Sequence, residues 1–190
     1  MINNNYLESI KKQMLYYKTL AEKAIDQLEE AQLFVSNNDD TNSIAVIVNH
    51  MSGNMLSRWT DFLTTDGEKE WRQRDAEFEN SINTKETLLA TWNKGWDCFF
   101  NTINALEADD LEKIIYIRNE GQTVVEAINR QLAHYPYHVG QIVFYAKMLK
   151  QDSWSSLSIP KNNSQNYNAE KFAKDKTIKH FTDDELTKLQ

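Results

Sequence analysis

Residues 6–28 read YLESIKKQMLYYKTLAEKAIDQL and carry the clearest periodicity of the chain. Their apolar positions advance by alternating steps of three and four residues: Leu7, Ile10, Met14, Tyr17, Ala21, Ala24 and Leu28. This spacing produces one apolar seam on an α-helix that packs in a bundle. We therefore predict a first helix over residues 6–35, ended by the turn-prone polar run 36–42.

Two further helices are expected in the middle of the chain. Ser43 is a suitable N-cap for helix 2, which the apolar spacing extends over about residues 44–63. Asn83 followed by Glu86 matches a capping box, and it predicts helix 3 over about residues 84–108.

A second capping-box pattern, Thr123 followed by Glu126, predicts a fourth helix that runs to about Lys150. Before it, residues 114–117 (IIYI) are β-prone and predict a short strand-like strip, with Gly121 at a turn.

The lengths of the connections predict the topology. About seven residues between helices 1 and 2 indicate antiparallel neighbours, whereas the long polar connection at 64–82 can cross the bundle. Helices 2 and 3 are then parallel, and a further reversal precedes helix 4. The sequence thus predicts an all-α, up-down-down-up four-helix bundle over residues 1–150. An irregular polar C-terminal tail, residues 151–190, is expected to pack on the bundle or extend from it.

Composition excludes several classes of protein. The 190 residues are 41% hydrophobic and 26% charged, which is typical of one globular domain. The longest aliphatic run, residues 44–48, is too short for a membrane span, and the N-terminus lacks signal-peptide features. A net charge of −7 with short, mixed lysine clusters argues against a nucleic-acid partner. Cys98 is the only cysteine, so no internal disulfide can form, and we expect a cytoplasmic protein. The short aliphatic run leads us to expect no membrane partner.

Two histidines are spaced for metal binding. His134 and His138 are four residues apart on helix 4, so both rings lie on one face and can share a divalent ion. They can equally be partly buried side chains that hydrogen-bond to backbone or to neighbours such as Tyr135. Pro136 between them removes a helical hydrogen bond, which either disturbs the helix or helps it present ligands.

A third histidine, His50, lies beside the apolar stripe of helix 2. If helices 2 and 4 face each other, it completes a three-histidine set of the kind that leaves a coordination position open for water or substrate. His180 lies among lysines in the polar tail, and we expect it to be solvated.

Two stretches carry a resemblance to a known family: AINRQLAHYPYHVGQI at 127–142 and NHMSGNMLSRW at 49–59. Over about residues 5–150, and on to Trp154 and Ile159-Pro160, the chain resembles the DinB/YfiT-like metalloprotein superfamily, most closely an uncharacterised branch of it. The resemblance implies an up-down-down-up four-helix bundle. It also implies that the imidazoles of His50, His134 and His138 hold one divalent metal ion.

Better-studied members of that superfamily include S-transferases that use bacillithiol, mycothiol or similar thiols, and a maleylpyruvate isomerase. The resemblance therefore implies a metal-dependent enzyme that transfers a low-molecular-weight thiol to a small electrophile, in detoxification or stress response. A metal ion lowers the pKa of a bound thiol, which makes the thiolate available as the nucleophile. The sequence does not distinguish Zn, Ni, Fe and Mn, because three imidazoles suit all of them.

Four residues on the same helix faces are candidates for orienting the ligands or binding substrate: Asn54, Arg130, Gln141 and Tyr145. The amides of Asn54 and Gln141 can orient ligating rings. Arg130 can hold a carboxylate of the substrate or thiol, or can simply pair with Glu126 one turn earlier.

Two other functions are compatible with the sequence. In a metal-dependent hydrolase the open position would carry an activated water, yet no Asp or Glu lies within four positions of any of the three histidines. In a non-catalytic bundle the metal would serve structure or sensing, or the chain would only dimerise. We expect a homodimer in any case, because the aromatic and Met content exceeds what one small bundle hides.

Overall fold

The computed structural model describes residues 2–189, with side chains from residue 5 onward, and is mostly helical. Six α-helices and one two-stranded sheet follow in the order α1 (Ile2–Asp26), α2 (Ile44–Trp59), α3 (Lys85–Ala105), β1 (Ile114–Ile117), β2 (Glu120–Thr123), α4 (Val124–Lys150), α5 (Ser164–Phe172) and α6 (Thr182–Leu189). The mainly helical class is confirmed. None of the helices within residues 2–189 combines the length and apolar character that a membrane span needs.

The first helix is shorter at its C-terminus than its periodicity predicts. The apolar seam is buried as expected, but α1 ends at Asp26 and a separate 3₁₀ helix covers Glu30–Phe34. Glu29 has extended backbone angles, and its backbone N–H donates to the side-chain oxygen of Gln32 at 2.9 Å, which caps the start of the 3₁₀ helix. The apolar spacing therefore continues across a break in the helix.

The second helix begins where it was predicted and ends early. The Ser43 side chain accepts a hydrogen bond from the backbone N–H of Val46, which confirms it as the N-cap. The helix ends at Trp59 because Thr60 is extended and Asp61 adopts a positive φ of 48°.

The capping prediction is wrong for helix 3 and correct for helix 4. Thr84, not Asn83, caps α3: its hydroxyl accepts from the N–H of Thr87 at 3.1 Å. At α4, Thr123 and Glu126 form the predicted reciprocal box.

The predicted strip at 114–117 is strand β1, and it pairs antiparallel with β2. The turn between them is made by Arg118 and Asn119, both at positive φ, as a two-residue hairpin requires. Gly121 lies inside β2 opposite Tyr116, so its predicted place in the turn is wrong.

Residues 60–84, the connector, link α2 to α3 and are tied to this hairpin. The Asp66 carboxylate accepts the N–H groups of Arg118 and Asn119 at 2.9 and 2.8 Å, and Gly67 donates its N–H to the carbonyl of Tyr116 at 2.8 Å. Residues about fifty positions further along the chain therefore hold this polar segment in place.

The core lies between the four long helices. Helix α2 packs against α3, α1 packs against α4, and α2 also contacts α4. The largest fully buried side chains at the centre are aromatic: Trp59, Trp92, Trp96, Phe99 and Tyr135. Contacts between α2 and α4 run in opposite chain directions, since His50 faces His138 while Asn54 faces Tyr135. This arrangement places the three histidines at one level of the fold.

Residues 151–189, the C-terminal segment, fold back onto α1. Trp154 and Leu157 pack partly buried against the core, and Leu189 of α6 is buried. His180 is half-buried, with Nε2 2.9 Å from the Ser9 hydroxyl of α1, so the expectation of a solvated His180 is wrong.

Candidate metal centre

The structure brings His50, His134 and His138 together, and we call these three residues the His centre. One potential ligand nitrogen from each lies within 4.8 Å of the others. Nε2 of His138 and Nε2 of His134 are 3.0 Å apart, and the ring of His50 is centred 5.0 Å from that of His138. Within residues 2–189 this is the one cluster of three or more His, Cys, Asp or Glu side chains spaced to hold a metal ion.

Two helices supply the three rings. His134 and His138 lie one turn apart on α4, which continues as a helix across Pro136. His50 comes from α2, a helix buried along most of its length because it contacts both α3 and α4. His50 is itself buried, and the two rings of α4 are half-buried.

The Nδ1 atom of each ring has an oxygen acceptor behind it. Nδ1 of His50 is 2.9 Å from Oε2 of Glu77, and Nδ1 of His138 is 2.8 Å from Oε1 of Gln141. Nδ1 of His134 lies 3.2 Å from Oε1 of Gln131. A proton on each Nδ1 satisfies these contacts and leaves the Nε2 lone pairs free for a metal ion.

Electrostatics keep the α4 pair in the neutral form that a metal requires. Burial, together with the neighbouring rings of His138 and His50, lowers the pKa of His134 to about 3. Burial also lowers the pKa of His138, against the opposing effect of its hydrogen bond to Gln141. Both imidazoles are therefore unprotonated at neutral pH.

Residues 1–163 match the family described as "Protein of unknown function (DUF1572)". The chain belongs to this family. The matched region includes the four long helices, the connector and the whole His centre. No curated protein and no solved structure matches the chain.

Glu77 is one residue at this site that the sequence analysis did not indicate. It lies in the connector, 27 residues from His50, within a 3₁₀ helix at Asp75–Phe78. Arg72 donates to both of its oxygens, from Nε at 2.7 Å and from a terminal nitrogen at 2.9 Å. Burial opposes ionisation, but the hydrogen bonds from His50 and Arg72 outweigh it and hold the pKa of the Glu77 carboxyl below its usual range. No sequence pattern near the histidines could have revealed it.

Gln131 was also missed, although a signal for it existed. It precedes His134 by three residues, just as the predicted Gln141 follows His138 by three. Both amides lie on the same face of α4 as the ring they contact. The symmetry of this spacing would have identified Gln131.

Asn54 and Tyr145, two of the predicted site residues, hydrogen-bond to groups other than the three histidines. The Tyr135 hydroxyl accepts from Nε1 of Trp59 at 2.8 Å and donates to Oδ1 of Asn54 at 3.1 Å. Asn54 thus satisfies a buried tyrosine instead of orienting a ring, because a buried hydroxyl needs a partner. Tyr145 donates to the backbone carbonyl of Val35 at 3.1 Å.

Arg130 is exposed, and its guanidinium has no ion pair within residues 5–189. The alternative pairing with Glu126 is absent because the Glu126 carboxylate caps α4 through Thr123. Arg130 contributes to the lowered pKa of His134, so its positive charge is close to the His centre. Its predicted role as an anion anchor stays a prediction.

A cavity of about 360 Å³ adjoins the His centre through Gln141, which lines the cavity and also contacts His138. Its walls are mainly apolar: Ile47, Phe144, Tyr145 and Met148. Its other end is formed by the loop between α1 and α2, where Asp40 is the one charged side chain of the lining.

Proposed function

We propose that this chain is a divalent-metal-dependent enzyme of the DinB-like type, which transfers a low-molecular-weight thiol to a small electrophile. The observation that carries the metal site is the convergence of three imidazoles whose Nδ1 atoms all face oxygen acceptors. The thiol and the transfer reaction rest on the resemblance of residues 49–59 and 127–142 to that superfamily.

We also propose that α1–α4 form an up-down-down-up bundle. Two contacts indicate that α1 and α4 run in the same direction. Tyr6 contacts Asn129 near the start of both helices, and Gln32, just after α1, donates to the carbonyl of Leu149 near the end of α4. Contacts of α2 with α3 advance together too: Ser52 faces Gly95, and the carbonyl of Trp59 accepts from Thr102. With α2 antiparallel to α4, these directions support the proposed order.

The donor set fits a divalent ion. Three neutral imidazoles suit Zn, Ni, Fe or Mn, and a three-ligand site leaves room for an exogenous ligand. His50, His134 and His138 would hold the ion, which would supply Lewis acidity that lowers the pKa of a thiol. The protein's own groups keep the rings oriented, and Phe78 covers one face of His50, with ring centroids 4.8 Å apart.

The surroundings indicate where two substrates would bind. The apolar side chains of the adjoining cavity favour a small, largely uncharged electrophile, which would have to pass Gln141 to reach the His centre. Arg130 carries an unpaired positive charge next to His134 and would attract an anionic group of the thiol. The free Cys98 supports a reducing, cytoplasmic location.

A homodimer remains part of the proposal. Tyr137, Phe144 and Met148 of α4 are exposed, at 63%, 66% and 49%, and offer an apolar surface of the kind that marks interfaces. Phe144 and Met148 also line the cavity, so the dimer interface would border the cavity. Light scattering should give a mass well above the 22.2 kDa of one chain at moderate concentration.

The proposal is tested first by elemental analysis of the full chain purified without added metal, where about one divalent ion per chain is expected. The protein is then incubated with a chlorodinitrobenzene-type electrophile and a panel of cellular thiols, and conjugate formation is compared with and without chelator. Metal-dependent conjugation with one thiol supports the transferase. Bound metal without conjugation favours the hydrolase or the non-catalytic site, and ester and amide substrates separate those two.

A further inference from the structure

We propose that Glu77 is a positioning residue of the metal centre, which sets the tautomer and the metal affinity of His50 from outside the bundle. The inference rests on the proposed metal site and adds to it a residue of the connector. Three independent features of the structure support it.

The first feature is the contact itself. Oε2 of Glu77 lies 2.9 Å from Nδ1 of His50, and each side chain is only 8% exposed. A carboxylate in this position holds the proton on Nδ1, directs Nε2 toward the metal and makes the ring a stronger donor. Because water is largely excluded, the hydrogen bond acts in a medium of low dielectric constant.

The second feature is the clamp on the carboxylate. Arg72, whose side chain is 2% exposed, donates to both oxygens of Glu77. Asn49, the residue before His50, donates its side-chain N–H to the Glu77 backbone carbonyl at 3.0 Å. Both oxygens and the backbone of Glu77 are therefore held, so the carboxylate orients His50 and is not free to act as a base.

The third feature is the space that Gly53 of α2 leaves for the Glu77 carboxylate. A Cβ atom added to Gly53 would lie 2.6 Å from the carboxyl carbon of Glu77. Glycine weakens the interior of a helix, so its presence one turn after His50 needs a reason. The close approach of Glu77 provides one.

The three ligands are consequently unequal. His50 has an anionic partner, whereas His134 and His138 have the neutral amides of Gln131 and Gln141. A hydrogen bond to a charged acceptor is roughly twice as strong as one to a neutral acceptor. We therefore expect His50 to be the ligand whose donor strength depends most on its partner.

The experiment uses the full-length chain and measures Zn²⁺ and Co²⁺ affinity by competition with a chelator. Glu77→Gln keeps the shape and an acceptor oxygen but removes the charge, and should weaken affinity about 10- to 100-fold. Gly53→Ala should weaken it in the same direction by displacing the carboxylate. Gly140→Ala is the matched control on α4, because nothing lies within 4 Å of the added Cβ, and its affinity should stay within twofold of wild type.

Circular dichroism establishes the temperature at which each variant is folded, and affinities are compared there. The Co²⁺ absorption spectrum adds a readout that loss of stability alone would not change. Glu77→Gln should shift the ligand-field bands, whereas Gly140→Ala should not. An affinity of Glu77→Gln within twofold of wild type, with an unchanged spectrum, would overturn the inference.

A measurement on the wild type decides the matter even if the variants unfold. In ¹⁵N-labelled, Zn²⁺-loaded protein, His50 should coordinate through Nε2 and retain a slowly exchanging, downfield Nδ1 proton. Coordination of His50 through Nδ1 would break its contact with Glu77 and would contradict the proposal. If the wild type binds no metal, the proposed function fails together with the inference, whereas failure of Glu77 alone leaves the metal site intact.

Discussion

The connector (60–84) and the C-terminal segment (151–189) are both polar and rich in charge, yet their ion pairs have different environments. In the connector, Arg72 and Glu77 pair with side chains 2% and 8% exposed. In the C-terminal segment, Lys179 and Asp184 pair with side chains 45% and 29% exposed. Pairs of the first kind are costly to break on one side only, whereas pairs of the second kind contribute little.

Each of these segments is also associated with one histidine. The connector contacts His50, and the C-terminal segment contains His180. In the connector, Glu77 supports His50 and leaves its Nε2 free, whereas His180 has hydroxyl partners at both nitrogens, Ser9 at 2.9 Å and Thr182 at 2.7 Å. The first histidine is a proposed metal ligand, whereas the second links the start of α6 to α1. Buried charge in the connector thus supports the proposed site, whereas a hydroxyl contact of His180 helps to attach the C-terminal segment to α1.

The largest expected difference is in metal binding, and it separates His50, which the connector contacts, from His180 in the C-terminal segment. His50→Ala should lower metal affinity by orders of magnitude, as should His134→Ala and His138→Ala, because a site with two imidazoles lacks a third of its donors. Helical circular dichroism should persist, since the apolar seams remain. Metal content after dialysis, measured by elemental analysis, checks this.

His180→Ala is the control for that series and should keep full occupancy. Stoichiometric metal with unchanged affinity in His50→Ala would show that α2 contributes no ligand.

The next effect concerns stability. Arg72→Ala leaves the buried Glu77 without its main cation and should lower the free energy of unfolding by about 3–5 kcal/mol. Lys171→Ala removes a partly exposed partner of Asp184 and should change the free energy of unfolding far less. Urea unfolding of both variants, followed by circular dichroism, makes the comparison. Equal losses would mean that the two kinds of ion pair do not differ as their burial implies.

Truncation separates the two parts of the C-terminal segment. A chain that ends at Lys150 loses Trp154, Leu157 and Leu189 from their packed positions and should be destabilised by about 2–3 kcal/mol. A chain that ends at Lys161 keeps Trp154 and Leu157 and should lose less. Both should retain metal affinity, and thermal melts with metal titrations test this. Loss of metal binding in either chain would show that the segment supports the His centre after all.

The smallest expected effect is a pH dependence of the metal-free chain. The pKa of His134 is lowered to about 3 and that of His138 is lowered too, so the unfolded chain binds more protons than the folded chain below about 6.5. The contribution of these two histidines to the free energy of unfolding is therefore fully present above about pH 6.5 and declines as the pH falls toward 3. Urea unfolding in chelator at pH 7 and pH 5 should show the decline.

The variant His134→Gln should reduce that decline between pH 7 and pH 5. An identical pH dependence in wild type and His134→Gln would assign the effect to other groups. The same lowered pKa values also keep two ligands neutral in mildly acidic solution, so metal occupancy should persist below pH 6.5, the point at which unperturbed histidines would lose it.

Helical periodicity predicted the four long helices, and two of the predicted caps, Ser43 and Thr123, are in place. These features could be read from the sequence because they depend on residues three or four positions apart. The early ends of α1 and α2 could not, since apolar spacing continues past residues whose backbone has left the helix.

For the site, the three histidines and Gln141 could be found from spacing on helices. Glu77 could not, because a buried carboxylate in a charged stretch is indistinguishable in sequence from the exposed acids around it. Its environment is created by contacts of the connector with α2 and with the β-hairpin, which are tertiary. A tertiary contact also explains Asn54, which is well placed by spacing but accepts a hydrogen bond from the Tyr135 hydroxyl.

Long surface loops usually accept inserted residues at little thermodynamic cost. The connector should be an exception, because Asp66 and Gly67 bind the hairpin while Glu77 binds α2, and an insertion between these points would move one anchor relative to the other. The loop at 36–42, exposed over most of its length, lacks such anchors to distant elements within the described residues. Sequences related to this chain should therefore keep a constant spacing from residue 66 to residue 77 and vary more in length at 36–42.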